Sequence, residues 1–208
     1  KSTYTRIEAM AKRKSFEELL NTEFRWPMQG DQPFVVDSNH LENTSIPEDA
    51  YTRLVLMTDG YKAAADLMVE KAETDHSMRG TLVFPIIFNY RQFLELSLKF
   101  QLDEYGPARG IKPIWNTHNL ATLWSEFLVM LEHYGTPDPD EADPVVGEII
   151  LEFAKIDPRS YAYRYPVDLR GNPIPIEYSV LHLPTLADVM EGVEGYFMGC
   201  HGFICDRL

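Results

Sequence analysis

Apolar residues recur at helical spacing through most of the chain that follows residue 47. Between residues 47 and 71 they are separated by three and four positions, which predicts one long amphipathic helix. Ser45 is a candidate cap for this helix, and Pro47 would occupy its first turn. Residues 78–105 are apolar almost all round, which is typical of a central, buried helix. Pro85 lies inside that segment and predicts either a kink or a helix that begins late.

Three shorter helical patterns follow. One opens at His118 and is expected to end at Gly135, because glycine commonly terminates helices. Another covers residues 145–157 and stops before Pro158, and the last covers residues 185–203. These patterns predict a mostly α fold, an antiparallel bundle of about four long helices.

Two regions depart from the helical pattern. Residues 160–175 combine tyrosines and prolines with an Arg-Gly-Asn turn, and their alternation predicts a small β-hairpin near residues 161–178. The prolines would keep this hairpin at an edge. At the other end, residues 1–48 are expected to form an irregular N-terminal arm, loosely helical over residues 1–21 and with one short strand at residues 34–36. The remaining residues, 49–208, would form the bundle.

The net charge of −13 changes which partners are expected. A broad DNA-binding surface needs basic residues against phosphates, so the composition argues against one while allowing a small basic pocket. The longest apolar runs are shorter than a membrane span requires, so no membrane association is expected. No basic-then-apolar leader opens the sequence, and its two cysteines, Cys200 and Cys205, favour a reducing compartment. A cytoplasmic location is the resulting expectation.

Arg91, Glu95 and Lys99 form the first candidate constellation. Their spacing places the three side chains on one line of the central helix. On a helix that is otherwise apolar, these charges must face water, a partner or one another, because an unpaired buried charge is costly. They are therefore either a surface ladder of ion pairs or the wall of a polar pocket.

His118 and Asn119 form the second constellation, at the predicted start of a helix. Free N–H groups at a helix N-terminus favour anions, so His118 could contact a phosphate or transfer protons; alternatively it only caps the helix. Arg164 is the third candidate, with Asp157, Asp168 and the neighbouring tyrosines. It could bind a ligand, or it could join the hairpin to the bundle as a buried structural arginine.

Metal and cofactor chemistry have little support in the sequence. Cys200, His201 and Cys205 are too few, and positions five residues apart do not share a helix face. The chain also contains no glycine-rich phosphate loop, no G-x-S-x-G and no H-E-x-x-H. No metal and no cofactor are therefore expected.

Three segments in order resemble the HEPN family of small helical-bundle proteins. Arg91–Lys99, RQFLELSLK, is similar to the family's Arg-x-x-Leu-Glu-x-x-Leu-Lys helix. His118–Trp124, HNLATLW, is similar to its His-(Asn/Asp)-Leu-x-x-Leu helix opening, and residues 163–172, YRYPVDLRGN, resemble an aromatic-Arg-Tyr-Pro-x-Asp hairpin of uncharacterised members. The resemblance covers about residues 80–200.

The resemblance implies a helical bundle that pairs as a homodimer, within a prokaryotic defence or toxin-type system. Members of the family either cleave RNA without metal, with an Arg and a His at a composite dimer site, or bind nucleotides or partner proteins. Here His118 and Arg164 would be the catalytic candidates, and Arg91, Glu95, Lys99, Asn119 and Asp168 the ligand-binding or polar cluster.

The chain departs from the family's nuclease pattern at one point. No arginine is separated from a following histidine by four to six residues; Lys112 and Lys71 have that spacing before His118 and His76. Lysine keeps the charge but lacks the planar fork of arginine. We therefore expect a non-catalytic module that binds a nucleotide, RNA or a partner protein, with a metal-independent ribonuclease as the alternative.

Overall fold

The computed structural model describes residues 25–38, 41 and 43–208, and the chain separates into two units, Lys1–Ile46 and Pro47–Leu208. The predicted helical segment at residues 1–21 lies outside the described residues. In the first unit the described residues form turns and bends, and the strand predicted at residues 34–36 is not formed. Arg25 pairs with Asp31 at 2.6 Å, and Asp31 also accepts a hydrogen bond from the Met28 N–H.

The described part of the second unit is a helical bundle, so the prediction of a mostly α fold is confirmed. Short 3-10 turns at His76–Met78 and Pro107–Arg109 separate some of its helices. None of the described helices has an apolar stretch of the length needed to cross a lipid bilayer. The five helices are α1 (Ala50–Thr74), α2 (Arg79–Tyr105), α3 (Leu120–Tyr134), α4 (Ala142–Ile156) and α5 (Leu183–Cys205).

The helix ends follow from local side-chain chemistry. α1 begins at Ala50, after Asp49, whose carboxylate accepts from the Thr52 N–H at 2.7 Å. The predicted start near Pro47 with Ser45 as cap is therefore wrong by one helical turn, because Asp49 satisfies the free N–H. Gly135 ends α3 as predicted, with φ +63° and its N–H bonded to the carbonyl groups of the last turn.

α2 is the central helix, as its apolar pattern predicted. It contacts α1, α3 and α5, and most of its residues after Pro85 are buried. The helix begins at Arg79 and continues through Pro85, so the alternative of a late start is wrong. Asn89 donates its side-chain N–H to the Pro85 carbonyl oxygen at 2.6 Å, within the part of the helix that proline perturbs.

α3 and α4 approach each other closely at one glycine. A Cβ atom added at Gly147 of α4 would lie 2.9 Å from Nε1 of Trp124 on α3. Trp124 is 5% exposed and belongs to the main apolar core. No side chain separates the two helices here, so α3 and α4 lie in close contact at Gly147.

The hairpin predicted near residues 161–178 is not formed. In the described residues of this segment the only β pairing is one isolated antiparallel bridge between Val167 and Pro173. Prolines in the returning arm have no N–H to donate, so the ladder cannot extend. Asp168 instead organises a turn: its carboxylate accepts from the backbone N–H groups of Arg170 and Asn172 and from the Asn172 amide. These bonds hold the pKa of Asp168 below its ordinary value.

Candidate functional site: a buried charge network beside an arginine-lined pocket

Arg91 is completely buried, and protein groups occupy its donors. Its Nε donates to the Asp157 carbonyl oxygen at 2.9 Å, and its Nη2 donates to the His118 carbonyl oxygen at 2.6 Å. Nη1 donates to Glu95, one turn further along α2, at 3.0 Å. Arg91 thus joins α2 to the residue before α3's cap and to the residue that ends α4.

Glu95 is the common acceptor of the network. It is 1% exposed and accepts from Arg91, from the Lys99 ammonium at 2.8 Å and from Nδ1 of His118 at 2.8 Å. Burial opposes ionisation of this carboxyl, but the hydrogen bonds from Lys99, His118 and Arg91 together hold its pKa below the ordinary value. The carboxylate is therefore kept ionised, as the positive charges around it require.

The line of Arg91, Glu95 and Lys99 is a buried network, and this matches neither of the two alternatives left by their spacing. Lys99 is only 5% exposed and also donates to the Trp115 carbonyl oxygen at 3.4 Å. A ladder on the surface is excluded by this burial. Because Arg91 and Lys99 are covered by protein, a ligand at the surface would contact other residues of the network.

His118 is the exposed end of the network. Its side chain is 62% exposed, although Nδ1 contacts the buried Glu95 carboxylate. Because a carboxylate only accepts, Nδ1 carries the proton, and Nε2 has no hydrogen-bond partner among the described residues. A histidine oriented in this way by a carboxylate can accept and return a proton at the surface.

Asp157 is a member of the network that the sequence placed with Arg164 instead. Its Oδ1 accepts from the backbone N–H groups of Tyr161 and Ala162, and its Oδ2 lies 3.6 Å from Arg91 Nε. Oδ2 has no hydrogen-bond partner in the described structure. Burial raises the pKa of Tyr163, and the negative charge of Asp157 adds to this effect.

Arg164 lies outside the network. Its side chain is exposed, donates to the Ser160 carbonyl oxygen at 2.6 Å and lies over the rings of Phe88 and Tyr165. The interpretation of Arg164 as a buried structural arginine is therefore wrong, and the three donors to Glu95 are Arg91, Lys99 and His118. The structure does not bring Arg164 together with His118 in one pocket among the pockets it describes.

The other two predicted cluster residues have local roles. Asn119 caps α3 by accepting from the Thr122 N–H at 3.2 Å. Asp168 holds the turn described above, and its carboxylate oxygens accept from that turn's own N–H groups. Neither side chain is hydrogen-bonded to the buried charge network formed by Arg91, Glu95, Lys99, His118 and Asp157 in the described part of the chain.

An open pocket of about 660 Å³ lies next to the network, and the sequence did not indicate it. Asp157 belongs both to the network and to the wall of this pocket. Arg159 and Arg170 also line the wall, and neither forms an ion pair with any residue that the structure describes. Tyr161 and Leu169 supply aromatic and apolar surface between them. We call this site the arginine pocket.

The charges in the arginine pocket favour an anionic ligand. Two carboxylates are present, but Asp157 is buried against Arg91, and the Asp168 oxygens accept from backbone and amide N–H groups. The two guanidinium groups are exposed and keep all their donors available. Guanidinium groups bind phosphates in a bidentate manner, so the two arginines favour a ligand that carries phosphate.

No group of three or more His, Cys, Asp or Glu side chains is arranged to hold a metal ion within the described ranges. Near the C-terminus the Tyr105 hydroxyl lies 2.5 Å from His201 Nδ1 and 3.1 Å from Cys205 Sγ. Cys200 is buried, and burial raises the pKa of its thiol to about 11. The cysteines therefore contribute packing and hydrogen bonding in this bundle.

The fold and the site define an all-α helical bundle with a buried charge network and an adjoining anion-favouring pocket. No protein-family model, no curated protein and no solved structure matches the chain. The resemblance to the HEPN family thus has only the three sequence segments behind it, and the functional argument rests on the geometry of the chain itself.

Proposed function

We propose that the chain is a non-catalytic, HEPN-like module of a prokaryotic defence or toxin-type system that binds a nucleotide in the arginine pocket. The observation that carries the proposal is the pair Arg159 and Arg170, two exposed guanidinium groups without a carboxylate partner in the described structure. The two groups line one pocket, although the chain as a whole carries a net charge of −13. Phosphate groups are their natural counter-charge.

The shape of the pocket also suits a nucleotide. Its volume of about 660 Å³ lies in the range of small-molecule sites. Tyr161 offers a ring to a base, and its own ring packs on Tyr165 with centroids 4.6 Å apart, which limits its motion. A base could stack there while the phosphates contact the two arginines.

Burial of Arg91 favours a binding role over catalysis. Its guanidinium is fully buried and bonded to Asp157, His118 and Glu95, so it cannot contact a scissile phosphate without breaking the network. Arg164 lines a different pocket, together with Phe84 and Tyr165. Neither arginine is therefore placed to act with His118.

Calorimetric titration with ATP and AMP tests the proposal. ATP should bind more tightly than AMP, because more phosphate oxygens face the arginines, and added salt should weaken both. Arg159→Ala and Arg170→Ala should each weaken ATP binding by about tenfold. Arg53→Ala removes the same charge from an exposed position on α1 and should leave binding unchanged. The proposal would be contradicted if the protein did not bind ATP. It would also be contradicted if the Arg159 and Arg170 variants bound ATP as tightly as the unaltered protein.

A metal-independent ribonuclease is the second candidate, because His118 is exposed and oriented by Glu95. A second copy of the chain would then have to supply the phosphate-binding arginine, as in a composite homodimer site. Incubation with total RNA and tRNA should show cleavage that His118→Ala abolishes, and light scattering should show a dimer. RNA that stays intact, or cleavage that survives His118→Ala, would exclude this candidate.

A further inference from the structure

The outward face of α1 carries apolar side chains where a surface helix normally carries polar ones. α1 contacts α2 and α5, and its buried residues, among them Leu54, Ala65 and Val69, lie on one face of the helix. On the opposite face, Leu56 and Leu67 are 52% and 66% exposed. A second apolar face on an amphipathic helix indicates a surface that another helix can cover.

Leu56, Gly60, Ala63 and Leu67 form one continuous row on this face, because they are spaced alternately four and three residues apart. We call this row the α1 stripe. Gly60 and Ala63 are exposed at its centre, and a Cβ atom added at Gly60 would meet nothing within 4 Å. The spacing of four and three is the one by which two helices pack along a shared seam.

The α1 stripe is complementary to itself under a two-fold axis. In a symmetric dimer, residue i of one chain contacts residue j of the other, and j contacts i. When two α1 helices pack antiparallel about the midpoint between Gly60 and Ala63, each Gly60 faces the partner subunit's Ala63. Each Leu56 then faces the partner subunit's Leu67. Small residues therefore meet at the centre, where the helices can approach closely, and leucines meet on either side.

The charges at the two ends of the stripe select this direction of pairing. Arg53 and Glu70 continue the same spacing beyond Leu56 and Leu67, are exposed, and form no salt bridge with a residue that the structure describes. They lie about 26 Å apart along α1, too far to contact each other within one chain. The antiparallel arrangement places each Arg53 beside the partner subunit's Glu70, whereas a parallel arrangement would bring like charges together.

We propose that α1 is a self-association surface through which two copies of this chain pair antiparallel, with Arg53 bonded to the partner subunit's Glu70 at each end. The apolar stripe provides the contact, and the two ion pairs fix its direction and register. Neither the buried charge network nor the arginine pocket has a residue on α1, so the pairing is separate from the proposed nucleotide binding.

The size of the surface and its acidic flank set the expected affinity. Asp59 is exposed beside the stripe, whereas Asp66 on the same flank is bonded to Lys62 at 2.8 Å and to the Tyr90 hydroxyl at 2.7 Å. One helix face is also smaller than the roughly 800 Å² per partner of a standard interface. We therefore expect a reversible dimer with a dissociation constant in the micromolar range.

Sedimentation equilibrium of the full chain at about 1–100 µM measures the pairing and should show a monomer–dimer equilibrium. Arg53→Glu and Glu70→Arg should each weaken the dimer by at least about tenfold, because like charges then meet at both ends. The two substitutions in one chain should restore it. Because the two positions cannot contact each other within one chain, this recovery requires antiparallel contact between chains.

Two further variants separate the surface from general effects of charge and folding. Lys112→Glu makes the same charge change at an exposed position outside α1 and should leave the dissociation constant unchanged. Gly60→Leu should abolish the dimer, because its side chain occupies the place of the partner subunit's Ala63. Its melting temperature should not fall, since a Cβ atom at Gly60 meets nothing within 4 Å and leucine has the higher helix propensity.

Three results would overturn the proposal. The first is a protein that stays monomeric at every concentration, which would leave the α1 stripe to a different partner. The second is a dimer that is insensitive to Arg53→Glu and to Gly60→Leu, or as sensitive to Lys112→Glu, because the interface would then lie elsewhere. The third is a doubly substituted chain that remains as weakly dimeric as the single variants.

Discussion

The buried charge network and the arginine pocket share Asp157, but their arginines differ in burial and in hydrogen-bond partners. In the network, Arg91 is fully buried and its donors bond to a carboxylate and two carbonyl groups. In the pocket, Arg159 and Arg170 are exposed and form no ion pair with described residues. The first arginine holds the structure together, and the other two remain available for a ligand.

The difference shows that residue type alone does not identify a functional arginine. A buried guanidinium must have partners, since an uncompensated charge in the interior costs several kcal/mol. An exposed guanidinium has no such requirement, and water or a ligand can satisfy it. Substitutions in the network should therefore change stability, whereas substitutions in the pocket should change binding.

The largest expected effect is that of Arg91→Ala. It leaves the Glu95 and Asp157 carboxylates facing a cavity and two carbonyl oxygens without donors. Unfolding free energy should fall by about 3–5 kcal/mol, measured by urea denaturation. Arg159→Ala is the matched control and should change it by less than about 0.5 kcal/mol. If the two substitutions lowered the unfolding free energy equally, the buried network would not be more important for stability than the arginine pocket.

Glu95→Gln tests the electrostatic balance of the network and should cost about 2–4 kcal/mol at neutral pH, because Arg91 and Lys99 lose their shared counter-charge. The native pKa of Glu95 lies below its ordinary value of 4.5. As the pH falls, Glu95 is therefore protonated in the unfolded chain before it is protonated in the native protein. The ionised carboxylate stabilises the fold above about pH 4.5, and this contribution is lost as the pH falls through the native pKa.

The measurement is the difference in unfolding free energy between the parent protein and Glu95→Gln across acid pH. This difference should shrink as the pH falls below 4.5, the ordinary pKa of Glu95. Other carboxyl groups, including Asp168, also have lowered pKa values, and the comparison of two variants cancels their common effect. A difference that does not vary with pH would show that the charge of Glu95 is not what stabilises the network.

Gly147→Ala tests whether the close contact of α3 and α4 holds the network in place. Its new Cβ would lie 2.9 Å from Trp124 Nε1, so the helices must move apart, at a cost of about 1–3 kcal/mol. Gly192→Ala is the control: nothing lies within 4 Å of its added Cβ, and helix propensity should stabilise it by up to about 1 kcal/mol. If the Gly147→Ala protein has an unchanged melting temperature, the close approach of α3 and α4 at Gly147 is not needed for stability.

Arg164→Ala should have the smallest effect, below about 1 kcal/mol in thermal or urea unfolding. Its side chain is exposed and contributes one hydrogen bond to Ser160 and contacts with two rings. A loss as large as that of Arg91→Ala would mean that the chain buries this arginine after all. The variant thus compares two arginines that the sequence alone presents as candidate site residues.

Much of the fold followed from local periodicity. The all-α class, the buried α2 and the end of α3 at Gly135 were predicted because helical spacing and glycine caps are local properties. The hairpin near residues 161–178 was wrongly predicted. Its alternating pattern is also local, but prolines and the Asp168 carboxylate redirected the backbone hydrogen bonds into a turn.

The candidate site was predictable only in part. The sequence by itself determined that Arg91, Glu95 and Lys99 share a line on one helix, because residues four apart lie on the same face of an α-helix. Only the tertiary structure decided that His118 and Asp157 complete this line, that Arg164 does not, and that Arg159 and Arg170 meet at one pocket. These contacts join residues far apart in the chain, and their geometry depends on how the helices and the segments between them pack, which no local pattern encodes.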